Sequence, residues 1–215
     1  CVRTGRPPVA AQSVSPSPRA FIGTMHRYAL EQAPALLAAI DLKGVRRVLD
    51  LGGGSGAYGI AFARALSGAE VVVFDHPEII ALARETIQAA GLSEHVGTMA
   101  GDILVDDFGN GYDVIWLSNV VHAWGPEDVQ EALGRIRQAL NPGGRLLLRD
   151  FILSEEKTEP PFGTVFALNM LVSTEAGNCY SLQEYRNWLL AAGFREVTLM
   201  TPPHGGATAI IEATV

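Results

Sequence analysis

The feature that most constrains this chain's fold is the alternation of short apolar runs with amphipathic ones between residues 45 and 151. Residues 45–50 (VRRVLD) read as a strand, 57–66 as a helix, 69–75 (AEVVVFD) as a strand, and 77–90 as a helix with Pro77 suited to its first turn. A shorter strand at 96–100, a strong one at 112–118 (YDVIWLS), a helix at 126–140 and a strand at 145–151 after the turn NPGG continue the series. Strands this apolar are buried on both faces. The pattern therefore predicts an α/β fold, a doubly wound parallel sheet with helices on each side and ligand loops at the strands' carboxyl ends. Beyond it the chain changes character, with helices at 162–172 and 181–192, then REVTLM and ATAIIEATV as an antiparallel pair joined by TPPHGG. No internal repeat is present.

Ahead of the alternation, residues 1–18 (CVRTGRPPVAAQSVSPSP) are rich in Pro, Ser and Ala and read as linker. A helix is expected from Arg19 to Ile40, with Pro34 kinking it or opening a second one. The 215 residues, 48% of them apolar, fit one domain over 19–215. A net charge of -7 leaves no basic stripe for a nucleic acid or an anionic membrane face, so small-molecule chemistry is favoured. Cys1 and Cys179 have no metal-ligand spacing, the carboxylates and histidines are dispersed, and no metal is expected. No apolar run approaches the roughly 20 residues of a membrane span, and a reducing cytoplasm is the expected compartment.

The first chemical motif is VLDLGGGSGAYG, residues 48–59, where glycines follow a strand and open a helix. Gly52, Gly53, Gly54 and Gly56 would let backbone approach a ligand closely, and the amides at the helix start would offer donors to an anionic group. Gly52, Gly54 and Ala57 also satisfy G-x-G-x-x-G/A, and Asp75 follows at about the 20-residue spacing of an acid that holds ribose hydroxyls. A dinucleotide fits that fingerprint. Asp50 favours S-adenosyl-L-methionine instead, because a carboxylate at the end of the first strand would repel a pyrophosphate but suits an ammonium or sulfonium. Asp102, in AGDIL, could accept from an adenine amino group while Ile103 packs on the ring; a turn cap is the competing role for Asp102.

These motifs, with FIGTMHRYA, VVVFDHPEII, LSNVVHAWGPEDV, ALNPGGRLLLRDFIL and NMLVSTEAGNCYSLQEYRNWLLAAGF, resemble in order and spacing the catalytic domain of the class I S-adenosylmethionine-dependent methyltransferases. The specific resemblance is to the small-molecule O-methyltransferases that include the caffeate and hydroxyindole enzymes. It implies a Rossmann-like seven-stranded sheet ending in an antiparallel pair. It also implies methyl transfer to a hydroxyl of a small, aromatic, phenolic or otherwise hydroxylated metabolite. Carried over residue by residue, cofactor contacts fall on Gly52 to Gly56, Asp75, Asp102, Ile103 and Ser118. The general base falls on His122 and its orienting acid on Asp150, while Phe21, Met25, Trp124, Asn169 and Met170 line the acceptor region. The chemistry asks for such a pair independently: a phenol with pKa about 10 stays protonated at neutral pH, whereas an imidazole near 6.5 is available to take its proton.

The sequence departs from the family at three points. Ala123 replaces the aspartate between His and Trp, His76 stands where leucine is usual, and Cys179, Tyr180 and Ser181 replace a Glu-Arg-Thr segment. Orientation of the base is then expected to rest on Asp150 alone, with Cys179 a packed thiol. The resemblance further implies a preceding dimerisation domain of which this chain carries at most the last helix, so weak or altered homodimerisation is expected. Three readings stay open at this level: methyl transfer to oxygen, with nitrogen or carbon as variants; a silent cofactor-binding domain; and an NAD-dependent dehydrogenase.

Overall fold

A computed structural model of the chain describes residues 18–200 and 207–215, with side chains from Ile22 onward. The linker stretch ahead of Pro18 and the TPPHGG connection lie outside the described residues. Helix α1 (Pro18–Ala38) runs through Pro34 as one helix. There follow β1 (Arg47–Leu51), α2 (Ala57–Ala65), β2 (Glu70–Asp75), α3 (Pro77–Ala89), β3 (Val96–Ala100), β4 (Tyr112–Ser118), a 3-10 turn (Val121–Ala123) and α4 (Pro126–Ala139). The remainder is β5 (Leu140–Asp150), β6 (Ile152–Leu153), α5 (Pro161–Ser173), β7 (Tyr180–Ser181), α6 (Leu182–Ala191), β8 (Arg195–Met200) and β9 (Ala209–Thr214).

Seven strands form one sheet in the order β3-β2-β1-β4-β5-β9-β8, parallel except that β9 runs antiparallel to both neighbours. The winding reverses between β1 and β4, which opens a crevice at their carboxyl ends, where a sheet of this kind holds its ligand. Strand alternation sorts the core. Leu49, Leu51, Ile115, Leu117, Leu146 and Leu148 pack with α4 and α6 on one face, while Val48, Val73, Val114, Trp116 and Leu147 pack with α1, α2 and α3 on the other. Trp116 is fully buried with the rings of Tyr58 at 4.9 Å and Phe62 at 5.9 Å. Each large side chain so buried contributes about 1.5–3 kcal/mol of hydrophobic stabilisation.

Two local features differ from the sequence expectation. β5 begins at Leu140 rather than 145, because Leu140 already pairs with Tyr112 and the Pro-Gly-Gly turn is taken up as a register shift before Val114 meets Arg145. Asn141 anchors that irregularity by donating to the Gly111 carbonyl and the Asp113 carboxylate. Residues 152–153 and 180–181 make a two-stranded parallel sheet too short to leave any alternation in sequence. It ends at Ser181, which caps α6 through a reciprocal box with Glu184, so the helix starts one residue later than expected. Helix α5 is apolar nearly all round yet buries only Gly163 and Met170, leaving Phe162, Val165, Leu168 and Leu171 exposed.

Candidate functional site

The loop after β1 is built by backbone hydrogen bonds that leave little for a phosphate. Gly52 and Gly53 N–H both donate to the Phe74 carbonyl, at 2.8 and 3.1 Å, and Gly56 N–H donates to the Gly53 carbonyl. Gly54 N–H donates to Asp75 Oδ2 at 2.8 Å, and His76 N–H donates to Asp75 Oδ1 at 2.7 Å. The first turn of α2 gives Gly59 N–H to Asp50 Oδ2 at 2.8 Å. The protein's own carbonyls and carboxylates thus occupy the amides of all four loop glycines, and of the first-turn amides that of Gly59. Such a loop suits a ligand that needs close backbone approach without phosphate donors.

The glycines are required by space and by torsion. Gly52 sits at φ 68°, and a Cβ there would lie 2.6 Å from Val120 Cγ2, while one on Gly53 would lie 2.7 Å from the Asp50 carboxyl. At Gly54 the nearest atom to such a Cβ is Ile22 Cδ1 of α1, at 3.9 Å, so room is left between loop and helix. His26 of α1 reaches across to Ser55 Oγ at 2.8 Å. Asp50 lies beneath the loop, 1% exposed, and burial pushes its carboxyl up to about 7 against the opposing pull of Gly59 N–H. It braces the loop from below rather than lining it. Burial also raises Asp75, with its two backbone hydrogen bonds acting the other way.

His122 stands in the 3-10 turn between β4 and α4. Its Nδ1 meets Asp150 Oδ1 at 2.7 Å, and its backbone N–H reaches Asp150 Oδ2 at 3.2 Å. Asp150 is fully buried at the end of β5 and also accepts from Phe151 N–H at 2.8 Å. Register puts it there: β4 and β5 pair in parallel to Ser118 and Arg149, so both chains leave the sheet at the same carboxyl edge. With Nδ1 held by a carboxylate, Nε2 is the ring nitrogen left for a substrate proton. Phe166 of α5 meets the imidazole edge-on at 4.9 Å and stacks on Phe151 at 4.1 Å, with Phe162 continuing the stack.

Val120, two residues before His122, touches the glycine loop together with Ile103, so the ends of β1, β3 and β4 converge there. Asp102 spends Oδ1 on Leu104 N–H at 2.9 Å, the turn-capping role, while Ile103 is packed into the core at 7% exposure. Ser118 lies half-buried at the end of β4. Trp124 packs partly against the core and takes Tyr180 Oη on its carbonyl, and Met170 is buried. Met25 and Asn169 are exposed, with Asn169 Oδ1 accepting from Ser173 Oγ. The side chain of Phe21 lies outside the described residues. Cys179 is buried, its thiol pushed up to about 12 by burial and by the Asp150 charge, and is no thiolate at neutral pH. Sequence reasoning missed Val120, Phe151 and Phe166; only the closeness of Phe151 to Asp150 along the chain could have hinted at one of them. Among the described residues no group of three His, Cys, Asp or Glu is placed to hold a metal, and no helix is long and apolar enough to cross a membrane.

The model of the O-methyltransferase domain matches residues 10–195. The chain belongs to that family. It is 34% identical over 194 residues to 3-hydroxy-5-methyl-1-naphthoate 3-O-methyltransferase of Streptomyces sahachiroi, covering 90% of this chain and 56% of that protein. Acetylserotonin O-methyltransferase of Rattus norvegicus is 36% identical over 167 residues, 78% of this chain and 38% of the relative. This O-methyltransferase domain thus spans about half the length of the relatives it matches. The crystal structure of human N-acetylserotonin methyltransferase in complex with S-adenosylmethionine superposes with a TM-score of 0.86 at 26% identity, over 99% of this chain and 64% of that one.

Proposed function

We propose that the domain transfers a methyl group from S-adenosyl-L-methionine to a hydroxyl of a small aromatic molecule, with His122 as general base and Asp150 as its orienting acid. The observation that carries the reading is the 2.7 Å His122–Asp150 pair opening onto the same sheet edge as a loop whose glycine amides are already satisfied. S-adenosylmethionine supplies an electrophilic methyl group on a sulfonium and carries no phosphate, which agrees with that loop. Asp75 ends β2 and Asp102 follows β3 by two residues, positions from which they would reach the ribose and adenine, and the room above Gly54 would admit the methionine end. His122 Nε2 takes the proton of the acceptor hydroxyl as the oxygen attacks, and the buried Asp150 carboxylate favours the imidazolium that forms. Phe166 and Phe151 offer a flat apolar wall beside that nitrogen, on which an aromatic acceptor can stack. The S. sahachiroi and rat relatives are named for hydroxynaphthoate and acetylserotonin, both aromatic.

Calorimetric titration with S-adenosylhomocysteine and with NAD, followed by a screen of phenolic acceptors with labelled cofactor, tests the proposal. Binding of S-adenosylhomocysteine and label in an ether are expected. Preferential NAD binding sinks the cofactor assignment, and binding without turnover on any acceptor favours a silent domain. Phe166→Ala is expected to raise KM for a phenolic acceptor about 2- to 10-fold, since a lost aromatic contact removes about 0.5–1.5 kcal/mol, with kcat moving less. Steady-state kinetics on the variant reads this directly; an unchanged KM removes the stacking wall.

A further inference from the structure

The face of the sheet opposite His122 carries a charge that the fold does not balance. Arg149 is the residue before Asp150 on β5, so its side chain turns to the α1 and α2 side, where it is 2% exposed. Its Nη1 donates to Tyr58 Oη at 3.0 Å and to Ser118 Oγ at 3.4 Å, and its Nη2 donates to Gln32 Oε1. Its Nε is buried without an acceptor, and no ion pair among the described residues includes it. A guanidinium taken out of water among neutral acceptors is costly unless an anion comes within its field.

Ser118 shows where that anion would sit. Its oxygen receives Arg149 Nη1 and, at 3.3 Å, Asn119 Nδ2, and its hydroxyl also pairs with Tyr58, so Ser118 carries this network from the buried guanidinium to the edge of the cleft. Ser118 is half-buried at the carboxyl end of β4, and the register Leu51↔Leu117 sets it beside the start of the glycine loop. Asp50 lies on the same face one strand away, paired with Trp116, and Tyr58 stands between the acid and the guanidinium. Beneath the cleft edge the buried groups therefore run from an acid under β1 to a cation under β5. That polarity matches an α-amino acid lying above the loop, with its ammonium on the β1 side and its carboxylate toward Ser118 and Arg149.

We propose that Arg149, acting through the Ser118 hydroxyl, is the positioning residue that fixes the carboxylate at the amino-acid end of the ligand above the glycine loop. This rests on the S-adenosylmethionine reading. The test titrates the full chain with S-adenosylhomocysteine and with 5′-methylthioadenosine, an adenosyl thioether without the amino-acid group. Arg149→Met is expected to weaken S-adenosylhomocysteine roughly 10- to 100-fold, the range of a charge-assisted hydrogen bond, and to leave 5′-methylthioadenosine within twofold. Ser118→Ala keeps the guanidinium and its partners on α1 and α2, and should give the same selective loss in smaller measure. Arg149→Lys should restore part of it. Parallel weakening of both ligands in Arg149→Met and Ser118→Ala marks a merely structural network and overturns the proposal, as does unchanged S-adenosylhomocysteine affinity. If Arg149→Met does not fold, the Ser118→Ala pair of titrations decides. Failure of the unmodified chain to bind S-adenosylhomocysteine sinks the cofactor reading itself, an outcome seen before any variant is made.

Discussion

His122→Ala is expected to lower kcat for methyl transfer about 10²- to 10⁴-fold, the usual contribution of a positioned general base, while S-adenosylhomocysteine affinity stays within twofold. The separation follows from geometry: the imidazole is held by Asp150 and faces the aromatic side of α5, whereas Asp75 and the glycines belong to the other end of the crevice. Asp150→Asn should also lower kcat, because an amide cannot stabilise the imidazolium and can present an N–H where Nδ1–H needs an acceptor. Rates under saturating acceptor, with calorimetric affinity for the product cofactor, check both arms. A His122→Ala protein that turns over at the unmodified rate assigns the catalysis to positioning alone.

The pair also resolves the departures in the signature. Ala123 is exposed beside the turn and takes no part in orienting the imidazole, so losing the family's aspartate there leaves the His122–Asp150 contact as it is. At the second departure, Cys179 is buried close enough to Asp150 to feel its charge. An acid in that place would set a second negative charge beside a fully buried carboxylate. Asp150 already binds His122 through both oxygens, so orientation rests on it without a second acid.

Much of this was legible because the informative periods are local. Apolar runs such as VRRVLD and YDVIWLS fall on β1 and β4 within two residues, and the order of glycines, Asp75, His122 and Asp150 places each at a strand's carboxyl end. What was not legible depends on contacts between distant segments. The two-residue strands β6 and β7 exist because Ile152 and Tyr180 meet, and two residues carry no alternation. The aromatic wall joins Phe151 to Phe166 across a loop and a helix whose apolar residues show no preferred face. Asp50 was read as a ligand contact because its sequence position is right. Strand alternation turns its side chain under the loop, where it accepts from Gly59 N–H.

That burial sets the second large expected effect, a pH-dependent stability that Asp50→Asn removes. The Asp50 carboxyl is raised from 3.8 to about 7 in the folded chain, through burial first and the neighbouring Asp75 charge as a lesser cause. Between pH 4 and 7 the folded state thus keeps a proton that the unfolded chain releases, so stability falls as pH rises through this window and levels off above it. The full difference corresponds to roughly 4 kcal/mol, at about 1.4 kcal/mol per pH unit, an upper figure because local relaxation reduces it. Asparagine keeps an oxygen for Gly59 N–H and carries no charge, so its stability advantage over the unmodified protein should widen by about 2–3 kcal/mol between pH 5 and pH 8. For a domain of this size, 2–3 kcal/mol corresponds to about 4–12 °C in Tm. Asp113 and Glu184, both lowered, contribute oppositely at more acid pH and cancel in the comparison, whereas Asp75, also raised, contributes in the same direction and is relieved of the Asp50 charge in the variant. Thermal denaturation of both proteins at pH 5, 6, 7 and 8 reads the difference. Parallel curves at all four values mean that Asp50 is already ionised in the folded chain, and that the loop it braces carries a buried charge rather than a buried acid.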